Sequence, residues 1–375
     1  MHRASAVVFL VTLACCARTP TRALTSTRTR TPAPALTPAP APTRAPALTR
    51  TPTLTPSTAS PSASAPAPPP APITLAAVGD IMLARTIGIR YERDPSRSPF
   101  AAVATILRDA DVAVGNLECV LGTGGTPMKK AFTFRAPPAA IATLTEAGLD
   151  FVSLANNHIM DFGPDLLGGT TSLLDKANIL HAGAGMSEAD AHRAAVLDVK
   201  GIRLAFLGYV HVPTEGAGGF DTKSWDAKGD GAGVAWADSA RIASDVATAK
   251  ANADVVVVML HAGYELSMNA NVIQKQLAHA AIDAGASLVI GAHPHVLQGT
   301  EHYKRGFIAY SLGNFVFDGR DEYSAILRAT IDREGVRDVD WTPVVLRGGF
   351  PQPTDAATSR WIVGVIRQLS LQVGR

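Results

Sequence analysis

Gly291-Ala-His-Pro-His295 is the stretch on which the reading of this chain turns. It follows the apolar run that begins at Ser287, which has the length and composition of a buried strand. Two imidazoles two residues apart, separated by a proline and launched from a strand end, project from one stiff turn. That arrangement suits gripping metal ions better than filling a core. Two other apolar segments end alike. Asp254-Val-Val-Val-Val-Met-Leu260 runs into His261, and Asp150-Phe-Val-Ser-Leu-Ala155 runs into Asn156-Asn157-His158.

Working outward, short apolar runs alternate with helical stretches from Ile73 onward, the pattern of a layered α/β domain. Strands are expected at Ile73–Val78, Asp111–Val114, Phe151–Ala155, Ile179–Ala182, Gly306–Ser311, Tyr323–Ile331 and Val339–Leu346. Ala194–Val199 and Arg203–Tyr209 read as a hairpin turning at Lys200-Gly201. Helices are expected near Pro99–Arg108, Pro138–Ala147, Pro164–Lys176, Asp238–Asn252, Val272–Ala284 and Asp355–Leu371. Proline suits the first turn of the Pro164 helix. His211–Gly233 reads as a long functional or mobile loop.

The candidate ligands Asp80, Glu118, Asn157, His261, His293 and His295 all fall at strand ends. In layered α/β sheets ligand crevices lie at the carboxyl ends of strands, so periodicity alone predicts that these residues converge. A set of imidazole, carboxylate and amide oxygen suits one or two divalent Mn, Zn or Fe ions. Two such ions could activate a water and clamp a phosphoryl or carbonyl oxygen. Each residue also has a plainer reading. Asp80 could cap a helix, the Asn156-Asn157 pair could shape a left-handed turn, and the two histidines could be satisfied turn residues. Asp161 either orients His158 or caps the Pro164 helix, and Arg135 either pairs with an anionic substrate or makes a surface salt bridge. Glu265, Asn314 and Phe315 are further candidates for the crevice. Cys119 reads as a buried structural thiol.

The N-terminal part differs sharply. Arg3–Pro72 holds 15 of the 26 prolines and seven Arg, with no Lys, Asp or Glu, so in a chain of net charge +2 the remainder carries −5. The mild basicity belongs to the tail, and no nucleic-acid partner is implied by it. Residues 1–16 read as an export signal, with His2 and Arg3 preceding the apolar run Ala6–Ala14. Leu13-Ala14-Cys15-Cys16 resembles a lipoprotein box, which implies membrane attachment through a lipid on Cys15 or Cys16. Residues 17–72 cannot bury enough apolar surface to fold and read as an extended tether. Of three cysteines only Cys119 lies beyond the leader, so no internal disulfide is available there.

The order of motifs resembles the five-part plan of calcineurin-like metallophosphoesterases, and more closely the CapA family of bacterial proteins associated with poly-γ-glutamate capsule synthesis. The resemblance rests on Val78-Gly-Asp-Ile-Met82, Asn116-Leu-Glu118, Phe134-Arg-Ala-Pro-Pro138, Asn156-Asn-His-Ile-Met-Asp-Phe-Gly163, His261-Ala-Gly-Tyr-Glu265, Gly291-Ala-His-Pro-His295 and Tyr310-Ser-Leu-Gly-Asn-Phe-Val-Phe317. It implies a four-layer α/β/β/α sandwich over residues 73–375. It also implies that Asp80 and His295 serve one metal, that Asn157, His261 and His293 serve another, and that Glu118 bridges them. His158 would be the proton donor, and in an enzyme built on this plan Arg135 is expected to steady the anion and Asp161 to orient His158. The implied substrate is an anionic polymer or a small molecule, the implied partners are membrane capsule synthase subunits, and the implied location is outside the cytoplasm, secreted or anchored to the outer membrane face. A non-catalytic accessory subunit is the alternative role. The chain departs from the phosphoesterase pattern at one point, where Asp-x-His becomes Asp80-Ile81-Met82, because a thioether is a poor ligand for hard divalent ions.

Overall fold

The computed structural model describes residues 70–215, 219–319 and 321–373. The expected export signal, residues 1–16, and almost all of the expected tether, residues 17–72, lie outside these residues. Among the described residues no helix is long and apolar enough to cross a membrane.

Two large sheets form the frame. Their strands, in chain order, are β1 (Ile73–Ile81), β2 (Val112–Leu117), β3 (Phe151–Ser153), β4 (Leu180–Ala182), β5 (Ala195–Val199), β6 (Ile202–His211), β7 (Val255–Ala262), β8 (Leu288–Ala292), β9 (Thr300–Tyr303), β10 (Gly306–Ala309), β11 (Asn314–Val316), β12 (Glu322–Asp332), β13 (Gly335–Arg347) and β14 (Phe350–Pro353). The first sheet runs β14-β13-β12-β1-β2-β3-β4, with β11 paired to β1 beyond Gly79, and the second runs β9-β10-β8-β7-β6-β5. In each sheet the central strands are parallel, so their carboxyl ends share one edge.

The run Val255–Leu260 shows why the sheets stack. Val255, Val257 and Met259 face a shared core with Leu75, Ala77, Val112, Val114 and Phe151 of the first sheet. Val256, Val258 and Leu260 alternate to the other side, onto Ile242 and Val246 of helix Ser239–Lys250 and Leu277 and Ala281 of helix Val272–Asp283. A strand buried on both faces reads as an unbroken apolar run rather than an alternating one. The outer side of the first sheet is covered in the same way by Ile87, Leu107, Leu144, Leu167 and Leu174 of four helices. The result is helix, sheet, sheet, helix, the four-layer order expected. Phe151 and Phe206 stack between the sheets with ring centroids 4.7 Å apart.

Most elements fall where the pattern placed them. Helix Pro164–Lys176 matches, Asp238 and Asn271 cap their helices, and Lys200 and Gly201 turn the hairpin at φ 49° and 82°. Short elements without strong periodicity lie outside the expected set, among them helices Arg85–Arg93 and Glu188–Ala191 and strands β9, β11 and β14. The stretch before Ala104 forms turns rather than the start of a helix.

One crossover matters for function. After β10 the chain leaves the second sheet and joins the first as β11, passing through Ser311-Leu-Gly-Asn314. There Asp80 donates its N–H to the Gly313 carbonyl at 2.9 Å, and Leu312 donates to the Gly291 carbonyl at 3.2 Å. A Cβ on Gly79 would lie 1.8 Å from the Gly313 oxygen, and one on Gly291 would lie 1.9 Å from the Tyr310 oxygen. Glycine is therefore obligatory at both sites for close backbone approach.

Two substitutions test this packing by urea unfolding. Gly291→Ala should destabilise the fold by about 2 kcal/mol or more, because backbone must move. Gly169→Ala, exposed within its helix and with open space around the added methyl, should stabilise it by roughly 0.5–1 kcal/mol.

Candidate metal centre

The carboxyl ends of β1, β2 and β3 from one sheet meet those of β7 and β8 from the other, and the predicted residues converge there. Asp80 and His261 lie within the last residues of β1 and β7 rather than just beyond them, because ladder pairing continues through both. Glu118 follows β2, and His293 and His295 follow β8. Two groups of ligand atoms each fit within 4.8 Å, one from Glu118, His261 and His293 and the other from Asp80, Glu118 and His295. Glu118 is common to both. Its Oε1 lies 3.7 Å from His261 Nε2 and 3.8 Å from His295 Nε2. Asn157 Oδ1 is 2.8 Å from His261 Nε2, at the same corner.

The surrounding groups hold this set in place. Asp80 accepts from Asn116 Nδ2 at 2.8 Å and from the His293 N–H at 3.2 Å. Asn156 stands one residue back from the ligands: its amide donates to the Leu117 carbonyl at 2.8 Å and to Asn116 Oδ1 at 3.2 Å, and its Oδ1 accepts the His158 N–H at 3.0 Å. It is a turn-shaper, and its neighbour Asn157 is the one aimed at the ligands. Asn314 Oδ1 meets His295 Nδ1 at 2.9 Å, while Asn314 Nδ2 donates to Glu322 at 2.7 Å. Phe315 turns the other way, onto Phe100 in the core, and Phe317 lies 4.9 Å from the His295 ring instead. His293 and His295 have φ of 94° and 58°. A non-glycine residue held there costs on the order of 1–3 kcal/mol, so packing must enforce the turn.

The donors fit divalent ions. Both Glu118 oxygens and His293 Nδ1 are buried without a hydrogen-bond partner. Burial and the Asp80 carboxylate push the Glu118 carboxyl well above its usual range. Burial alone would depress His295, but Glu118 and Asp80 lift it to about 10. Burial, with His295 nearby, drives His293 down to about 3. The cluster thus calls for positive charge between its carboxylates while keeping His293 a neutral ligand, which is what a bound cation needs. Met82 belongs to neither group. It is fully buried in the apolar cluster, and its sulfur accepts the Ala84 N–H at 3.2 Å.

His158 borders the centre, with Nε2 at 4.0 Å from Glu118 Oε1 and Nδ1 at 2.7 Å from Asp161 Oδ2. Asp161 also accepts the Phe134 N–H at 2.7 Å and so orients His158 rather than capping the next helix, whose N-cap is Gly163. Phe134 stacks on His158 with centroids 4.0 Å apart. Lys130 was not foreseen. Its fully buried ammonium lies 2.6 Å from Asp161 Oδ1 and 2.7 Å from Glu215 Oε2, bonds the Asn157 carbonyl, and sits near the Phe220 and Trp225 rings. Glu215 Oε1 is 3.9 Å from His158 Nε2. Burial and Lys130 drive His158 well below its usual value, and burial raises Asp161 to about 7 against the opposing Lys130.

Arg135 lies outside the centre. In the short strand Arg135–Ala136 the side chains alternate, so Phe134 points in and Arg135 points out. Its guanidinium bonds the Gly124 carbonyl and lies 4.5 Å from the Phe162 centroid. Glu265 is exposed and absent from both donor groups. Cys119 is buried, accepts the Leu83 N–H and is pushed by burial to about 12, so it is no nucleophile.

The family model described as bacterial capsule synthesis protein PGA_cap matches residues 74–319. The chain belongs to that family. Capsule biosynthesis protein CapA of Bacillus anthracis is 32% identical over 77% of this chain and 71% of its own. PGA biosynthesis protein CapA of Bacillus subtilis is 32% identical over 75% and 73%. A probable polyglutamine synthesis accessory protein of Mycobacterium tuberculosis is 30% identical over 67% of each chain. Among solved structures, the calcineurin-like phosphoesterase YfkN of Bacillus subtilis is 14% identical, aligned over 81% of this chain and 98% of that one at a TM-score of 0.45.

Elemental analysis tests the centre of this PGA_cap family member. The protein loaded with divalent metal should carry up to two ions per chain. Glu118→Ala should lose both, and His293→Ala or His295→Ala should each lose one. At free metal about a hundredfold above its dissociation constant, chelation should remove about 2.7 kcal/mol of stability.

Proposed function

We propose that the protein is an exported, metal-dependent hydrolase of capsule biosynthesis that acts on a phosphoester or amide-like bond. The observation that carries this reading is the placement of His158 beside two donor groups that share Glu118. Asp80, Glu118, Asn157, His261, His293 and His295 would hold the ions, and their nitrogen and oxygen donors suit Mn, Zn or Fe. When bound, such ions supply Lewis-acid polarisation and a water acidified toward neutrality.

The chain's own residues do the rest. With Asp161 accepting from Nδ1, His158 is a neutral imidazole whose Nε2 faces the crevice. Nε2 is then free to accept the proton that the attacking water gives up and to pass it to the leaving atom, so the proton lost on one side of the reaction is used on the other. Lys130 fixes Asp161 and the Asn157 carbonyl at once, so it keeps the imidazole and one ligand arm in register. Phe134 and Phe317 wall this side against water.

The capsule role is supported by the family and by relatives named for capsule or PGA biosynthesis. Export rests on the leader pattern of residues 1–16, with a lipid on Cys15 or Cys16 as the anchor and membrane synthase subunits as partners. An anionic polymer or a fragment of one is the substrate this role requires.

A second reading, a non-catalytic accessory that binds polymer or steadies a synthase, is favoured by Met82. That side chain is committed to the core, so one ion has one fewer imidazole than the phosphoesterase plan supplies. Hydrolysis assays on phosphoester and γ-glutamyl panels separate the two. An enzyme should lose roughly 10²–10⁴-fold in rate on His158→Gln with its metal content unchanged. Stoichiometric metal with no turnover on any panel member would establish the accessory role.

A further inference from the structure

Beside the metal centre, on the far side of Phe134, lies a second pocket of about 360 Å³. Its walls include Arg85, Arg135, Gly122, Thr123 and Gly124, with Glu92 the only acidic residue among those lining it. We infer that this pocket is an anion subsite that holds a carboxylate side group of a polymer chain whose backbone reaches the metal centre. The inference rests on the hydrolase or polymer-binding reading above and assigns a place for the chain outside the reacting bond.

Four observations converge on it. Arg85 lies with its guanidinium carbon 5.8 Å from the Phe134 centroid, and Phe134 stacks on His158, so one aromatic ring separates pocket from site. Arg85 pairs with Asp318 through Nε at 3.4 Å, and Arg135 spends one terminal nitrogen on Gly124. Each guanidinium carries five N–H donors, so most remain for a ligand. Arg85 is also held at φ 52°, a left-handed conformation that costs free energy and aims the side chain over Phe132 and Phe134. Finally, Thr123 and Gly124 line the pocket, Gly124 has φ of 80°, and among the described residues the N–H groups of these two donate to no backbone or side-chain acceptor. Successive free amides in a turn form an anion-binding concavity.

The chemistry favours a flexible polyanion over a buried single ion. Arg85 is 46% exposed along its side chain and the pocket opens to solvent, so it can take one group of a passing chain without desolvating a charge completely. Two guanidiniums grip carboxylates through paired hydrogen bonds. Glu92 opposes this and sets a measurable penalty.

Calorimetric titration of the full, metal-loaded chain with poly-γ-glutamate tests the assignment. The double variant Arg85→Gln/Arg135→Gln should bind roughly ten- to hundredfold more weakly, and a polymer with esterified carboxylates should not distinguish it from the parent. Glu92→Gln should bind more tightly, which keeps the test decisive should the double variant misfold. Unchanged affinity in the double variant, or no gain in Glu92→Gln, would overturn the subsite. So would polyphosphate binding more tightly than poly-γ-glutamate through the same arginines. Product release is read separately. Arginine-dependent binding without turnover removes the hydrolase and leaves the subsite, whereas turnover with arginine-independent binding does the reverse.

Discussion

Everything near the crevice answers to one electrostatic constraint, the burial of Asp80 and Glu118 within reach of each other. A carboxylate taken out of water costs several kcal/mol unless charge and hydrogen bonds replace the lost hydration. Asp80 receives that replacement from Asn116, the His293 amide and His295. Glu118 receives imidazole nitrogens at 3.7–4.0 Å and no hydrogen bond at all. The strained turn at His293 and His295, the glycines at 79 and 291, and the crossover at Gly313 all bring charge-compensating groups to these two side chains. The rest of the sandwich is the scaffold that makes such crowding tolerable.

The loop between His211 and Gly233 shows how far such compensation reaches. Its length marks it as functional or mobile, and among its described residues Glu215, Thr222, Trp225 and Ala227 are buried. Glu215 turns in to Lys130, while Phe220 and Trp225 lie against the same ammonium. A buried lysine between two carboxylates keeps the local charge near balance and leaves His158 neutral. The loop therefore contributes to the state of a proton carrier with which it shares no sequence neighbourhood.

Much of this was legible in the sequence because strand ends announce themselves. The apolar runs before Asn156, His261 and Gly291 gave both the sheets and the edge at which ligands gather, and six candidate ligands do meet there. What stayed hidden depends on contacts between distant segments. Lys130 looks like half of an ordinary Lys-Lys pair, and its burial arises only when Phe220 and Trp225 fold over it. Arg135 was read toward the centre because alternation in a two-residue strand is too brief to register; the apolar Phe132 and Phe134 around it were the available signal. Phe315 was misjudged similarly, since Asn314 and its neighbour must face opposite sides of a strand.

The stack of Phe151 on Phe206 has a consequence for how defects in this protein should be understood. Glu118 and Asn157 ride on one sheet and His261 and His293 on the other, so the thickness of the inter-sheet core sets the spacing of the ligand atoms. Packing there is dense enough that a methylene gained or lost shifts its neighbours. The core acts as a spacer gauge for the crevice. A substitution deep between the sheets, far from any ligand, would detune the centre geometrically while leaving every functional side chain in place.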